Sequence, residues 1–135
     1  ECINTLVPLL ENHRGKFVCI CAGYTLEMQN FINANTGLKS RFVKKISFED
    51  YTAEELYHIF LLNCKKKGLK FGEGAEEAAK TKLQEMYDNR DEDFGNAREV
   101  RTFLSEVEER LSERTMFNET ATTEELVTIL PEDIC

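Results

Sequence analysis

No stretch of this sequence is both apolar and long enough to span a bilayer, and its first residues lack the charged and apolar regions of a signal peptide. A cytoplasmic protein without a membrane partner is the expectation. No Cys-x-x-Cys pair occurs, and His13 and His58 stand alone, so the clustered ligands that zinc requires are missing. The five cysteines (Cys2, Cys19, Cys21, Cys64 and Cys135) are an odd number and read as structural thiols in a reducing compartment. A Gly-x-x-x-x-Gly-Lys-Ser/Thr phosphate-binding loop is also missing from the 135 residues, as are internal repeats and low-complexity linkers.

What is present is an ordinary globular composition, 41% hydrophobic, sufficient for one domain or two small halves that share an interface. Charge is spread unevenly. Residues 1–50 carry six Lys/Arg against five Asp/Glu, and residues 51–135 carry eleven against twenty, which together make the net charge of −8. An acidic C-terminal surface argues against nucleic acid as a partner, because binding a phosphate backbone needs a basic face. The change near position 50 marks a candidate subdomain boundary.

The first part has the signature of an α/β layer. Ile3, Leu6, Val7 and Leu10 follow helical spacing, with Pro8 expected to kink that helix or mark its true start. Phe17–Ala22 is apolar without alternation, as in a central parallel strand covered on both faces, and Cys19 and Cys21 would share one side of it. Thr25 is the expected cap of a helix through Met28, Phe31 and Ile32, which Asn35-Thr36-Gly37 stops. Lys45-Ile46-Ser47-Phe48 alternates and predicts a second strand. Two strands cannot form a doubly wound sheet alone.

After Asp50 the pattern is helical. Thr52-Ala53-Glu54-Glu55 is a capping box, Tyr51 is placed to staple against Leu56, and Leu56, Ile59, Phe60 and Cys64 form a buried stripe. Lys65-Lys66-Lys67-Gly68 supplies a positive last turn and a glycine stop, so the lysine run is explained by the helix dipole. A second helix uses Ala75, Ala78, Ala79, Leu83 and Met86. A third, with Asn96 as cap, buries Val100, Phe103, Leu104, Val107 and Leu111. Thr122-Thr123-Glu124-Glu125 is expected to cap a terminal helix around Leu126 and Ile129 that ends at Pro131.

The most informative stretch is Asp91–Arg101. An acidic loop ends in Gly95-Asn96, and the helix that follows places Arg98 and Arg101, three apart, on one face of its first turn. Cations are disfavoured there, where unpaired N–H groups already carry partial positive charge. A bound anion, phosphate above all, would meet both guanidinium groups and the helix end together. The competing reading is that Asp91, Glu92 and Asp93 neutralise the arginines on a solvated surface. A weaker signal is Gly37-Leu38-Lys39-Ser40-Arg41-Phe42, where a glycine-containing loop would present Arg41 just before a strand, within reach of a neighbouring subunit.

Cys21-Ala22-Gly23-Tyr24, Gly37–Phe42, Asp50–Leu56 and Asn89–Arg101 occur in the order and spacing of the AAA+ ATPases. The chain most resembles the clade of stage V sporulation protein K and the red-type Rubisco activase CbbX, to which the ATPases of type VII secretion are also similar. The resemblance covers the second half of that module. It implies an α/β remnant of a parallel-sheet nucleotide-binding core (residues 1–49) followed by an all-α helical lid (residues 50–135), mostly helical overall. The phosphate-binding loop and the acidic magnesium-holding strand are expected before Glu1.

By the same resemblance, Arg41 is an arginine finger offered in trans to the nucleotide of the adjacent subunit, and Arg98 is sensor 2, reaching the γ-phosphate in cis. Gly95 and Asn96 belong to the same nucleotide-binding turn, and Arg101 supports Arg98 or pairs with the acidic loop. Tyr24 occupies the sensor 1 position. Lys39 stands where relatives carry a second arginine and lacks its bidentate fork. The implied parent is a homo-oligomeric ring that uses ATP and Mg²⁺ to remodel a protein partner, while the segment alone is expected neither to be an enzyme nor to hold nucleotide tightly. The alternative is an acidic helical interaction domain without nucleotide chemistry.

Overall fold

In the computed structural model of this protein, which describes residues 2–135 with side chains from Thr5 onward, the chain divides into two compact units, Glu1–Glu49 and Asp50–Cys135. The expectations that involve Glu1 and the side chains of Cys2 and Ile3 fall outside the described residues. The first unit contains helices α1 (Cys2–Asn12), α2 (Thr25–Asn33) and α3 (Thr36–Arg41). Helix α1 runs through Pro8 instead of starting at it, at the cost of one interior hydrogen bond. Tyr24, not Thr25, holds the cap position of α2, and it makes no side-chain cap bond. Asn35 ends the break after α2 by starting α3, its Oδ1 accepting the Gly37 N–H at 2.7 Å.

The strands expected at residues 17–22 and 45–48 are not paired among the described residues. A strand is stabilised by its ladder. With no neighbouring strand among the described residues, Val18, Ile20, Ile46 and Phe48 are exposed, whereas Cys19 and Cys21 are half-buried and share one side, as expected of extended backbone.

The second unit is a helical lid. Helix α4 (Ala53–Lys67) opens with the predicted capping box: Thr52 Oγ1 accepts the Glu55 N–H at 3.2 Å and Glu55 Oε2 accepts the Thr52 N–H at 2.8 Å. It closes on Gly68 in the left-handed conformation, φ 74°. Helices α5 (Ala75–Asp88) and α6 (Ala97–Met116) follow. Phe60 stacks on Phe103 at a centroid distance of 5.2 Å, within a core that includes Leu56, Leu83, Val100, Leu104 and Val107.

The expected terminal helix is replaced. Thr122 and Glu125 do form a capping box, but it opens a single 3₁₀ turn (Glu125–Val127) that leads into strand β2 (Thr128–Ile129). That strand pairs in parallel with β1 (Lys70–Phe71), in the register Lys70 with Thr128 and Phe71 with Ile129. Pro131 then starts helix α7 (Pro131–Ile134), where its missing N–H and fixed φ are harmless. Ile129 and Ile134 are fully buried. Burial of both requires the segment to dock, and pairing of β2 is incompatible with helix continuation.

Docking is fastened by Asp133, 1% exposed, whose carboxylate accepts Arg114 Nε and Nη2, each at 2.9 Å, and the Leu130 N–H at 2.8 Å. Arg114 Nη2 also donates to the Thr128 carbonyl at 2.9 Å. Arg110 Nη1 reaches the carbonyls of Asp133 and Ile134. Removing one partner leaves the other charge buried or half-buried without compensation, so Arg114→Ala is expected to destabilise the lid by about 3 kcal/mol. Denaturation of the chain followed by amide exchange in α6 checks this, with Lys80→Ala at an exposed pair as the control that changes little.

Cys64 lies fully buried on α4, and burial pushes its thiol up to about 12, with Glu108 adding to the effect. Its folded pKa is above the unfolded value, so its contribution to stability is complete below pH 9.0 and is lost as the pH rises toward about 12. At pH 8 its alkylation should require unfolding, whereas the exposed Cys135 reacts at once. Mass-resolved labelling against denaturant tests the difference.

Candidate functional site

The candidate site of the lid is the head of α6. Arg98 N–H donates to the Gly95 carbonyl at 2.9 Å, which closes the turn Gly95-Asn96-Ala97-Arg98. Asn96, at its first central position, has φ 52° and ψ −116°. These are the angles of a type II′ turn, which favours Gly and accepts Asn in that place. Asn96 is the one non-glycine residue with positive φ among the described residues.

The expected side-chain cap by Asn96 is not formed. The side chain of Asn96 instead meets the chain entering the lid. Its Oδ1 accepts the Tyr51 N–H at 2.9 Å, and its Nδ2 donates to Asp50 Oδ1 at 2.8 Å and to the Phe94 carbonyl at 3.2 Å. The other Asp50 oxygen accepts Arg90 Nε at 3.3 Å. Arg90 is itself held by stacking on Tyr87, 3.9 Å to the ring centroid, and by donating Nη1 to the Tyr87 carbonyl. The start of the lid, the end of α5 and the head of α6 therefore meet at Asp50. Asp50 and Arg90 fall within the quoted motifs Asp50–Leu56 and Asn89–Arg101, but the sequence assigns neither an individual role, since Asp50 lies 46 positions from Asn96.

Arg98 and Arg101 are both exposed, and among the described residues neither has an ion-pair partner. Neutralisation by Asp91, Glu92 and Asp93 is not what the structure shows; Asp91 instead caps its own loop by accepting the Asp93 N–H at 3.1 Å. Two cations thus stand at the head of a 20-residue helix without an ion-pair partner among the described residues, and Arg98 lies in the first turn, where the helix dipole disfavours a cation. At Gly95 an added Cβ would come within 2.7 Å of Glu99 Oε1, the mobile end of a side chain, and 3.3 Å from Arg98 Cβ.

Arg41 and Tyr24 belong to the first unit. Arg41 is the last residue of α3, not part of a loop before a strand, because the Asn35 cap carries Gly37 into the helix. Gly37 serves close approach there: a Cβ would lie 2.9 Å from Val7 Cγ1 and 2.9 Å from Asn35 Oδ1. The Arg41 guanidinium is half-buried, with Nη2 on Glu11 Oε2 at 2.7 Å, Nη1 on the Gly37 carbonyl at 2.9 Å, and Nε buried without a partner. Glu11 is thus a residue that sequence reasoning missed. Tyr24 is 42% exposed at the head of α2.

Residues 52–135 match the AAA lid domain family. The chain is also similar to the protein CfxQ homolog of Galdieria sulphuraria, 34% identical over 137 residues, which cover 99% of this chain and 44% of that protein. The chloroplastic ribulose bisphosphate carboxylase/oxygenase activase of Cyanidioschyzon merolae is 35% identical over 136 residues (99% and 46%). The ESX-3 secretion system protein EccA3 of Mycolicibacterium smegmatis is 34% identical over 149 residues (98% and 24%). The chain therefore spans less than half the length of these curated relatives. With a helical lid of matching extent and relatives aligned along nearly its whole length, the chain belongs to the AAA lid domain family, within the CbbX-like clade of AAA+ proteins.

Proposed function

We propose that this chain is the sensor and finger portion of a ring-forming AAA+ ATPase that couples ATP hydrolysis to remodelling of a protein partner. The observation that carries this reading is the pair of exposed arginines, Arg98 and Arg101, three apart at the head of α6 and without an ion-pair partner among the described residues, in a lid of this family. That donor set fits the terminal phosphates of a nucleotide, since guanidinium groups bind phosphate bidentately and a helix N-terminus favours an anion. Among the described residues no group of three or more His, Cys, Asp or Glu lies together. The phosphate cradle and the metal acid are assigned to the rest of the longer protein.

Roles follow from position. Arg98 orients the nucleotide of its own subunit from the lid, and Arg101 supports it from the next turn. Arg41 serves a neighbouring subunit, where it stabilises charge that develops in the transition state. It must first leave Glu11. That contact is partly exposed and therefore holds Arg41 by no more than about 1 kcal/mol, which a phosphate partner readily exceeds. Tyr24 is assigned to sensor 1 by its place after Gly23. Ring partners are further copies of the protein. Of the clients suggested by the relatives' names, Rubisco and a secretion system, none is favoured by a residue described above.

In the full-length protein, Arg98→Ala is expected to weaken both nucleotide affinity and turnover. Arg41→Ala should leave binding by a single subunit nearly intact and lower hydrolysis by about 10³-fold or more, the effect of losing a finger. Mixed rings provide the sharper measurement. Subunits carrying Arg41→Ala, combined with subunits whose metal-holding acid is neutralised, should regain partial turnover, because an intact nucleotide site then meets an intact finger. Absence of rescue in rings shown to co-assemble returns Arg41 to an ordinary surface charge.

A further inference from the structure

The strained backbone at Asn96 is fastened by contacts that have nothing to do with capping α6. A non-glycine residue in this region costs roughly 1–3 kcal/mol and persists only where its surroundings over-determine it. Here they are the Tyr51 N–H, the Asp50 carboxylate and the Phe94 carbonyl, which occupy both polar atoms of the Asn96 side chain. Asp50 and Tyr51 are the first two residues of the second unit, directly after Glu49 in the chain. On the other side of the turn, two residues along, is Arg98, whose own N–H closes the turn. One side chain thus links the segment through which the lid is entered to the backbone that launches Arg98.

We propose that Asn96 is a positioning residue: by clipping Asp50 and Tyr51 to the type II′ turn, it makes the direction of Arg98 follow the chain that enters the lid. The assignment rests on the reading of Arg98 as a nucleotide-binding residue, and it moves Asn96 itself from contacting the nucleotide to acting through Arg98. Physically, the turn has few torsions to absorb a displacement, because the Gly95–Arg98 bond closes it and Val100 N–H donates to the Asn96 carbonyl at 3.2 Å. A shift at Asp50–Tyr51 therefore rotates the turn and the base of Arg98 together. Arg90 bears on the same carboxylate from the end of α5, which keeps Asp50 facing Asn96.

The variants separate side chain from backbone. Asn96→Gly keeps the turn, whose angles suit glycine, and removes the clip. Asp50→Ala removes the acceptor from the other end, and Asp50→Asn restores one. In the full-length protein, with a fluorescent ATP analogue under non-hydrolysing conditions, Asn96→Gly and Asp50→Ala are each expected to weaken affinity roughly fivefold, the scale of coupling within one network. Asp50→Asn should recover most of it. In an Arg98→Ala background neither substitution should weaken binding further, whereas a merely structural role gives losses that multiply. In the present chain, amide exchange at Tyr51 should accelerate in Asn96→Gly while that of Val100 does not. Multiplying losses, or unchanged Tyr51 exchange, overturn the assignment and leave the nucleotide-binding reading of Arg98 intact. Wild-type affinity in Arg98→Ala overturns both.

Discussion

A carboxylate that is 1% exposed can persist as a charge only where its partners replace water, and Asp133 has three such donors: two guanidinium nitrogens of Arg114 and the Leu130 N–H. The second unit depends on that compensation. Arg114 stands near the end of α6, so the contact draws the C-terminal segment back along that helix and brings Ile129 and Ile134 over the core. Only then does β2 reach β1, and only then are the hydrogen-bonding groups of Thr128 and Gly72 satisfied, the latter donating to the Ile129 carbonyl at 2.8 Å. The apolar core supplies most of the driving force. The ion pair selects where the last residues go.

The same division of labour appears at the head of α6. Val100, Phe103, Leu104 and Val107 anchor the helix in the core and set its axis, while a polar cluster of Asp50, Arg90 and Asn96 sets the conformation of the turn before it. Nothing apolar could do this, because a turn with positive φ needs directional partners on a particular side. Arg98 and Arg101 inherit a rigid base and remain free at their tips. In the first unit the corresponding side chain, Arg41, is engaged at both terminal nitrogens, so its availability differs in kind from that of the lid arginines.

Local chemistry was legible where the code itself is local. The capping box Thr52–Glu55, the Gly68 stop and the helical stripes of α4, α5 and α6 involve residues within four or so positions, and the structure contains each of them. Expectations failed where a distant partner decided. The Thr122 box began a helix that strand pairing at residues 70–71 cut short, and Pro131 was read as an end although proline suits a first turn equally well. Asn96 had the residue type of a cap, but a carboxylate 46 positions earlier claimed its side chain. Phe17–Ala22 had the composition of a strand and joins no ladder among the described residues.

By itself the sequence determined the helical character of the lid, the apolar faces that pack it, and the pairing of Arg98 with Arg101 on one helical turn, since spacing and capping act over a few residues of backbone. The ordered motifs were likewise sufficient for the family. Tertiary structure alone decided that Asp133 is the buried charge, that Arg41 lies on Glu11, and that Asp50, Arg90 and Asn96 converge. Those outcomes depend on which side chains meet after the chain has turned back on itself, and hydrogen bonds between residues 19 to 46 positions apart leave no periodicity in the sequence to be read.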